Sequence, residues 1–167
     1  EGKELLGHLT AIRGYSAAMQ GEMPRAIGLS RRALELLTEE DISLRSLIYY
    51  LLGGISIMGE DLRGAREALE RAAQLAQAAG NIHVAVPALC TLGWLQAERG
   101  QLRGAFETYQ GAMRVATARG GRALPVSAMA QDGMGALYYE WNDLQAAHQH
   151  LLEGIELAHA VRRGHIT

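Results

Sequence analysis

The chain has 167 residues, of which 49% are hydrophobic and 20% charged, and its formal net charge is −2. This suits one globular domain with its own core, and the near-neutral charge gives no general attraction to nucleic acid or to acidic membranes. No apolar run reaches the roughly 18 residues that span a bilayer, and no signal peptide is visible at the start of the sequence. The single cysteine, Cys90, excludes an internal disulfide. We therefore expect a cytoplasmic protein, and the start at Glu1 without a methionine leads us to expect a fragment of a longer one.

Eight helices are predicted along the chain. Good helix formers dominate the composition, only three prolines occur, and no long alternating run of β-branched and aromatic residues indicates a strand. Short stretches rich in glycine, asparagine or acidic residues separate the helices, as expected of turns. The predicted helices span residues 3–20, 23–38, 42–58, 62–79, 83–99, 102–119, 125–140 and 144–162.

A repeat of about 40 residues relates these helices in pairs. Four glycines lie 39, 40 and 42 residues apart, and each is followed twelve residues later by an alanine. Because small residues let two helices approach closely, we expect the glycine and the alanine to lie on the facing sides of a helix pair. These residues are Gly14 and Ala26, Gly53 and Ala65, Gly93 and Ala105, and Gly135 and Ala147. A turn residue between the two helices is predicted at Gly21, Gly59, Gly100 and Asn142.

The repeat predicts an all-α fold that is similar to the tetratricopeptide repeat (TPR). We expect a right-handed superhelical solenoid of about four antiparallel helix pairs, or about eight helices. The period exceeds the 34 residues of a standard TPR, so longer helices or turns are expected. The predicted repeats cover approximately residues 3–40, 41–80, 82–120 and 124–163, as one domain over residues 1–167.

Two phrases are more specific than the general repeat. One is LYYEWNDL at residues 137–144, continued by HLLEGIEL at 150–157, and the other is AIGLSRRALELL at 26–37. Both resemble the TPR-type sensor region of MalT-like, large ATP-binding LuxR-family transcription regulators. In that family the region lies between a nucleotide-binding module and a helix-turn-helix module, receives an inducer and relays the signal. The resemblance therefore implies a sensor for a small-molecule inducer, a protein or a peptide.

Nucleotide and DNA binding are not expected of this chain itself. It contains no G-x-x-x-x-G-K-[ST] phosphate loop and no basic recognition helix. We expect these activities in flanking modules, and we expect no cofactor here. A general protein–protein interaction scaffold and a structural spacer are the alternatives to a sensor.

The first helix of each pair lines the concave groove in stacks of this kind, so the glycine register selects candidate groove residues. They combine aromatic rings with carboxylates, which suits a sugar, a cationic ligand or a peptide. The candidates are Tyr15, Tyr50, Trp94, Glu98, Asp132, Tyr139 and Glu140. For Tyr50 and Tyr139, packing between neighbouring repeats is an equally good interpretation.

No nucleophile–base pair and no metal-ligand spacing occurs in the sequence, so we expect neither catalysis nor a metal site. Cys90 is interpreted as a buried, inert thiol. His148 and His150 are two residues apart and do not share a helix face, so they are predicted to be surface residues. The last helix carries more apolar residues than one inner face needs, so we expect self-association through uncapped ends.

Overall fold

The computed structural model describes residues 2–117 and 124–162, the last three by their backbone alone. Within these ranges it contains eight α-helices, one short 3-10 helix and no strand, which confirms the all-α fold. The α-helices are α1 (Gly2–Met19), α2 (Met23–Leu36), α3 (Ile42–Met58), α4 (Leu62–Ala78), α5 (Ile82–Glu98), α6 (Leu102–Thr117), α7 (Ala128–Glu140) and α8 (Leu144–Arg162). The chain divides into two compact units, Glu1–Val84 and Ala85–Thr167. The single domain over 1–167 stays a prediction.

The helix boundaries agree with the predicted ones to within two residues, apart from the start of α7 and the end of α6. Residues Pro125–Ser127 form the 3-10 helix, so the α-helix begins at Ala128 rather than at residue 125. Helix α2 ends at Leu36 because Leu37 adopts an extended backbone, with φ −72° and ψ 145°. The predicted end of α6, at residue 119, lies outside the described residues.

Each helix pair is joined by the same turn. The residue seven positions after each repeat glycine adopts a left-handed backbone conformation. The backbone N–H of the residue that follows it donates to the carbonyl five residues before that donor, as in a Schellman motif. The left-handed residues are Gly21, Glu60, Gly100 and Asn142, with φ of 79°, 60°, 73° and 59°. The turn predicted at Gly59 is confirmed, because Gly59 is the C-cap that ends α3. Gly59 has φ −90°, and the register of the repeat places Glu60 in the strained position instead.

A notch in the first helix of each pair receives one side chain from the second. The notch is the repeat glycine, and the residue that fills it lies sixteen positions later, one helical turn beyond the repeat alanine. A Cβ atom on the glycine would lie 2.7 to 3.1 Å from that side chain, which is closer than carbon atoms normally pack. The pairs are Gly14 and Ser30, Gly53 and Leu69, Gly93 and Tyr109, and Gly135 and Leu151. The repeat alanines are also buried, from 0% exposed at Ala26, Ala65 and Ala105 to 4% at Ala147.

Apolar clusters join the helices within each unit. In the first unit, two clusters hold α1, α2 and α3 together, and Leu69 from α4 is fully buried at the notch in α3. In the second unit, Val86, Tyr109 and Met134 belong to one cluster that joins α5, α6 and α7. Parallel first helices are thus held beside each other, which positions the surface described next.

Candidate functional site

Two positions on each first helix form an exposed face. They lie one and five residues after the notch glycine, so they are one helical turn apart and share a side of the helix. Every residue at these positions is exposed. These residues are Tyr15 and Met19 on α1, Gly54 and Met58 on α3, Trp94 and Glu98 on α5, and Ala136 and Glu140 on α7. We call this set the first-helix face.

In the first unit, the first-helix face is apolar. Tyr15 is 49% exposed, Met19 66% and Met58 70%. Methionine side chains are flexible and polarizable, so such a surface can adapt to apolar groups of different shape. Tyr50 lies one helical turn before Gly54 on the same side of α3, but it is half-buried, whereas Gly54 and Met58 are exposed.

In the second unit, the first-helix face is aromatic and acidic. Trp94 is 43% exposed on α5, and the carboxylate of Glu98 lies one turn further along the same helix. Glu140 occupies on α7 the register that Glu98 occupies on α5, and Tyr139 beside it is 66% exposed. An indole ring is thereby combined with carboxylates on a solvent-accessible surface. Such a set can hold a cationic group or stack against a flat apolar one.

Asp132 and Cys90 occupy equivalent positions, three residues before a notch glycine, but their surroundings differ. Cys90 is 4% exposed, and burial, reinforced by the charge of Asp132, raises the pKa of its thiol from 9.0 to about 12. Asp132 is exposed, although partial desolvation raises its pKa as well. Its carboxylate fills the space beside Gly154 of α8. Asp132 lies one helical turn before Ala136, so it shares the side of α7 that carries Ala136 and Glu140, and it also borders α8.

A polar network between α7 and α8 was not expected from the sequence. The buried side chain of Gln131 donates from Nε2 to Glu153 Oε2 at 2.7 Å, and its Oε1 lies 2.6 Å from His150 Nδ1. Since the amide nitrogen is committed to the carboxylate, His150 Nδ1 is the donor to the amide oxygen. The His150 ring also stacks on Tyr138, with centroids 5.1 Å apart. The interpretation of His150 as a surface residue is therefore wrong, whereas His148 is exposed.

The described residues contain no group of three or more histidine, cysteine, aspartate and glutamate side chains that could hold a metal ion. A search of the same residues finds no helix that is both long and apolar enough to cross a membrane.

The family model of the MalT-like TPR region matches residues 7–167. The chain belongs to this family. No curated protein matches its sequence.

Solved structures share the fold of this MalT-like TPR region at low sequence identity. Aspartyl phosphate phosphatase F from Bacillus subtilis superposes with a TM-score of 0.79 at 15% identity, covering 96% of this chain and 41% of the phosphatase. BtubC from P. vanneervenii gives 0.76 at 19% identity, covering 97% and 67% of the two chains. MamA gives 0.69 at 18% identity, covering 94% and 81%. The MalT-like TPR region thus spans less than half the length of the phosphatase, and these likenesses establish the TPR-type helical repeat fold alone.

Proposed function

We propose that this chain is the sensor module of a MalT-like LuxR-family transcriptional regulator, and that it binds a ligand without catalysis. The observation that carries the proposal is the family match over residues 7–167. The module relays the state of its ligand to nucleotide-binding and DNA-binding modules elsewhere in a cytoplasmic regulator. A general protein–protein interaction scaffold is the second candidate, and the ligand class separates the two.

The ligand site is the first-helix face of the second unit. A cation over an exposed indole ring contributes about 0.5–1 kcal/mol, and more when the pair is desolvated. Glu98, one turn from Trp94, adds a carboxylate on the same side of the helix. The favoured ligand therefore carries a positively charged or flat group, as in a basic peptide segment, an amine or a sugar.

Fluorescence of Trp94 tests this site. Trp141 is the other tryptophan, and Trp141→Phe keeps an aromatic ring beside Phe106 and Tyr138 while removing the second signal. In this background, we would titrate separate sets of arginine-containing peptides, amines and sugars. We expect at least one set to change the Trp94 emission and to raise the melting temperature, since a ligand that binds only the folded state stabilises it.

The carboxylates distinguish specific binding from a general charge effect. Glu98→Gln should weaken binding of a cationic ligand by about tenfold, because the neutral amide leaves the charge on the ligand unpaired. Glu107→Gln is the matched control, since Glu107 is an exposed glutamate on the second helix α6 and the charge change is identical. Equal effects of the two variants, or no response of Trp94 to any ligand set, would contradict the proposed site. Capture of one folded protein without a response to peptides, amines or sugars would favour the scaffold.

A further inference from the structure

The contact between α3 and the first helix pair shows how neighbouring pairs of this repeat pack. One cluster buries Ile48 of α3 against Ala11 and Ala33, with Leu34 and Leu52 packed around it. A second cluster buries Ile55 of α3 against alanines that include Ala17, Ala18 and Ala26. This joint is therefore formed by large apolar residues on the arriving first helix, and by alanines together with larger residues such as Leu34 and Leu37 on the pair that receives it.

In the part of the chain that the structure describes, α1 presents the counterpart of the α3 face that packs on the first pair; we call it the arriving face, and on α1 it is largely exposed. The period of 39 residues places Leu5, Leu9 and Ile12 at the positions that Leu44, Ile48 and Leu51 occupy on α3. Ile48 is 3% exposed, whereas Leu5, Leu9 and Ile12 are 63%, 47% and 64% exposed. An apolar stripe of this kind on one helix indicates a docking surface for another element.

The last helix pair, α7 and α8, presents the counterpart of the surface on which α3 packs in the first pair. We call this counterpart the receiving face, and it is also exposed. Ile155 occupies on α8 the position of Leu34 on α2, and it is 51% exposed. Gly154 occupies the position of Ala33, so this part of the receiving face is again built from a small residue beside a large one. Tyr139 on α7 occupies the position of Ala18 and is 66% exposed.

The two uncovered faces complement each other in size. In the joint between α3 and the first pair, the large Ile55 and the small Ala18 belong to the same buried cluster. At the equivalent positions of the uncovered faces, the arriving residue is the small Ser16 and the receiving residue is the large Tyr139. The exchange of large for small on both sides conserves the volume across the contact, and volume-conserving exchanges are the ones that packed surfaces tolerate.

The two faces also complement each other in charge. In the joint between α3 and the first pair, Leu52 packs against the cluster that contains Ala11. At the equivalent positions, the uncovered arriving face carries Arg13 and the uncovered receiving face carries Asp132, and both are exposed. An apolar pair in the internal joint is thus replaced by a cation on one exposed face and an anion on the other. Opposite charges at matched positions favour this partner and orientation over others.

We propose that α1 of one copy packs on α7 and α8 of a second copy, as α3 packs on α1 and α2, so that the chain associates head to tail. The contact is heterologous, so an open oligomer retains one free arriving face and one free receiving face, whereas a closed ring retains neither. This association does not depend on the proposed ligand site, because it uses neither Trp94 nor Glu98.

Blocking one face at a time tests the direction of the contact. Leu9→Glu disables only the arriving face, and Ile155→Glu disables only the receiving face. Both side chains are about half exposed, so neither change disturbs a buried core. In sedimentation velocity, we expect the unmodified chain to associate with rising concentration, each variant alone to stay monomeric, and an equimolar mixture of the two to form one-to-one pairs. Leu152→Glu is the control, since Leu152 is exposed on α8 at a position that is polar in the other pairs, and it should associate like the unmodified chain.

Several outcomes of this experiment would overturn the proposal. They are an unmodified chain that is monomeric at every concentration, a Leu9→Glu or Ile155→Glu variant that still associates alone, and a mixture that forms no pairs. Self-association of Ile155→Glu alone would indicate a symmetric contact between two α1 helices instead.

A charge exchange tests the residue pairing. Arg13→Asp and Asp132→Arg should each weaken association by about tenfold, because each places like charges opposite one another. The double variant carries both changes in one chain, so opposite charges meet again across the joint, and its affinity should return to within about threefold of the original. A double variant that is weaker than either single variant would refute this pairing.

Discussion

Two adjacent glycines in α3 offer a sharp test of the notch. Gly53→Ala would place a Cβ atom 2.7 Å from Cγ of Leu69, about 1 Å closer than two carbon atoms normally pack. Gly54→Ala, one residue later on the same helix, places a Cβ atom with nothing within 4 Å. Both substitutions gain the same helix propensity, about 1 kcal/mol, so this contribution cancels in the comparison. The remaining difference is the cost of overpacking, which is about 1–3 kcal/mol because Leu69 is fully buried and cannot swing into solvent.

Urea denaturation followed by circular dichroism measures this difference directly. We expect Gly54→Ala to stabilise the protein by about 1 kcal/mol and Gly53→Ala to leave it unchanged or destabilise it by up to about 2 kcal/mol. Gly53→Ala in a Leu69→Ala background should lose its penalty, because the obstructing side chain is gone, and the double-mutant cycle should report a coupling of about 1 kcal/mol or more. If the two alanine variants were equally stable, the notch would not be a site of close packing.

Three further predictions concern the turns and the buried thiol. Glu60→Gly should stabilise the protein by up to about 1 kcal/mol, since Glu60 holds φ 60° and glycine adopts this conformation without a steric cost; unchanged urea stability would contradict the strain. Asp61→Ala should cost about 1 kcal/mol by the same measurement, because Asp61 Oδ1 accepts a hydrogen bond from the Gly64 N–H at 2.9 Å and caps α4. Cys90 should react with an alkylating reagent only after unfolding, and rapid modification of the native protein at neutral pH would refute its burial. Because folding raises its pKa from 9.0 to about 12, the native state holds the thiol proton more tightly, so its contribution to stability is complete below pH 9 and is lost as the pH rises toward 12.

Much of the fold follows from the spacing of small residues. The glycine register fixed the helix pairs, and turn chemistry placed most helix ends to within two residues. It did not identify Glu60, next to Gly59, as the left-handed residue of that turn, because only the register of the repeat separates the two positions. It also did not distinguish a 3-10 turn after Leu124 from the start of an α-helix, since proline suits the first turn of both.

The candidate site was less accessible to sequence reasoning. Exposure of Trp94, Glu98 and Glu140 follows from their register, because the positions one and five residues after the notch glycine are exposed in every pair. Tyr50 and Asp132 share a register but differ in burial, since burial at that register depends on what the neighbouring helices bring to it. The site residues remain predictions until a ligand is identified.

The network around Gln131 had no sequence signal. Its partners His150 and Glu153 lie 19 and 22 residues away, and no local pattern links them.

The four notches have a consequence for how such repeats diverge. The glycine leaves a fixed gap, and the residue that occupies it ranges from Ser30 to Leu69 and Tyr109 while the helix pair is retained. The filling position therefore accommodates a wide range of volumes across the four pairs, whereas the glycine is common to all of them. Two proteins built this way can lose most of their sequence similarity and still superpose. Relatives of this chain should accordingly be sought by the spacing of their notch glycines.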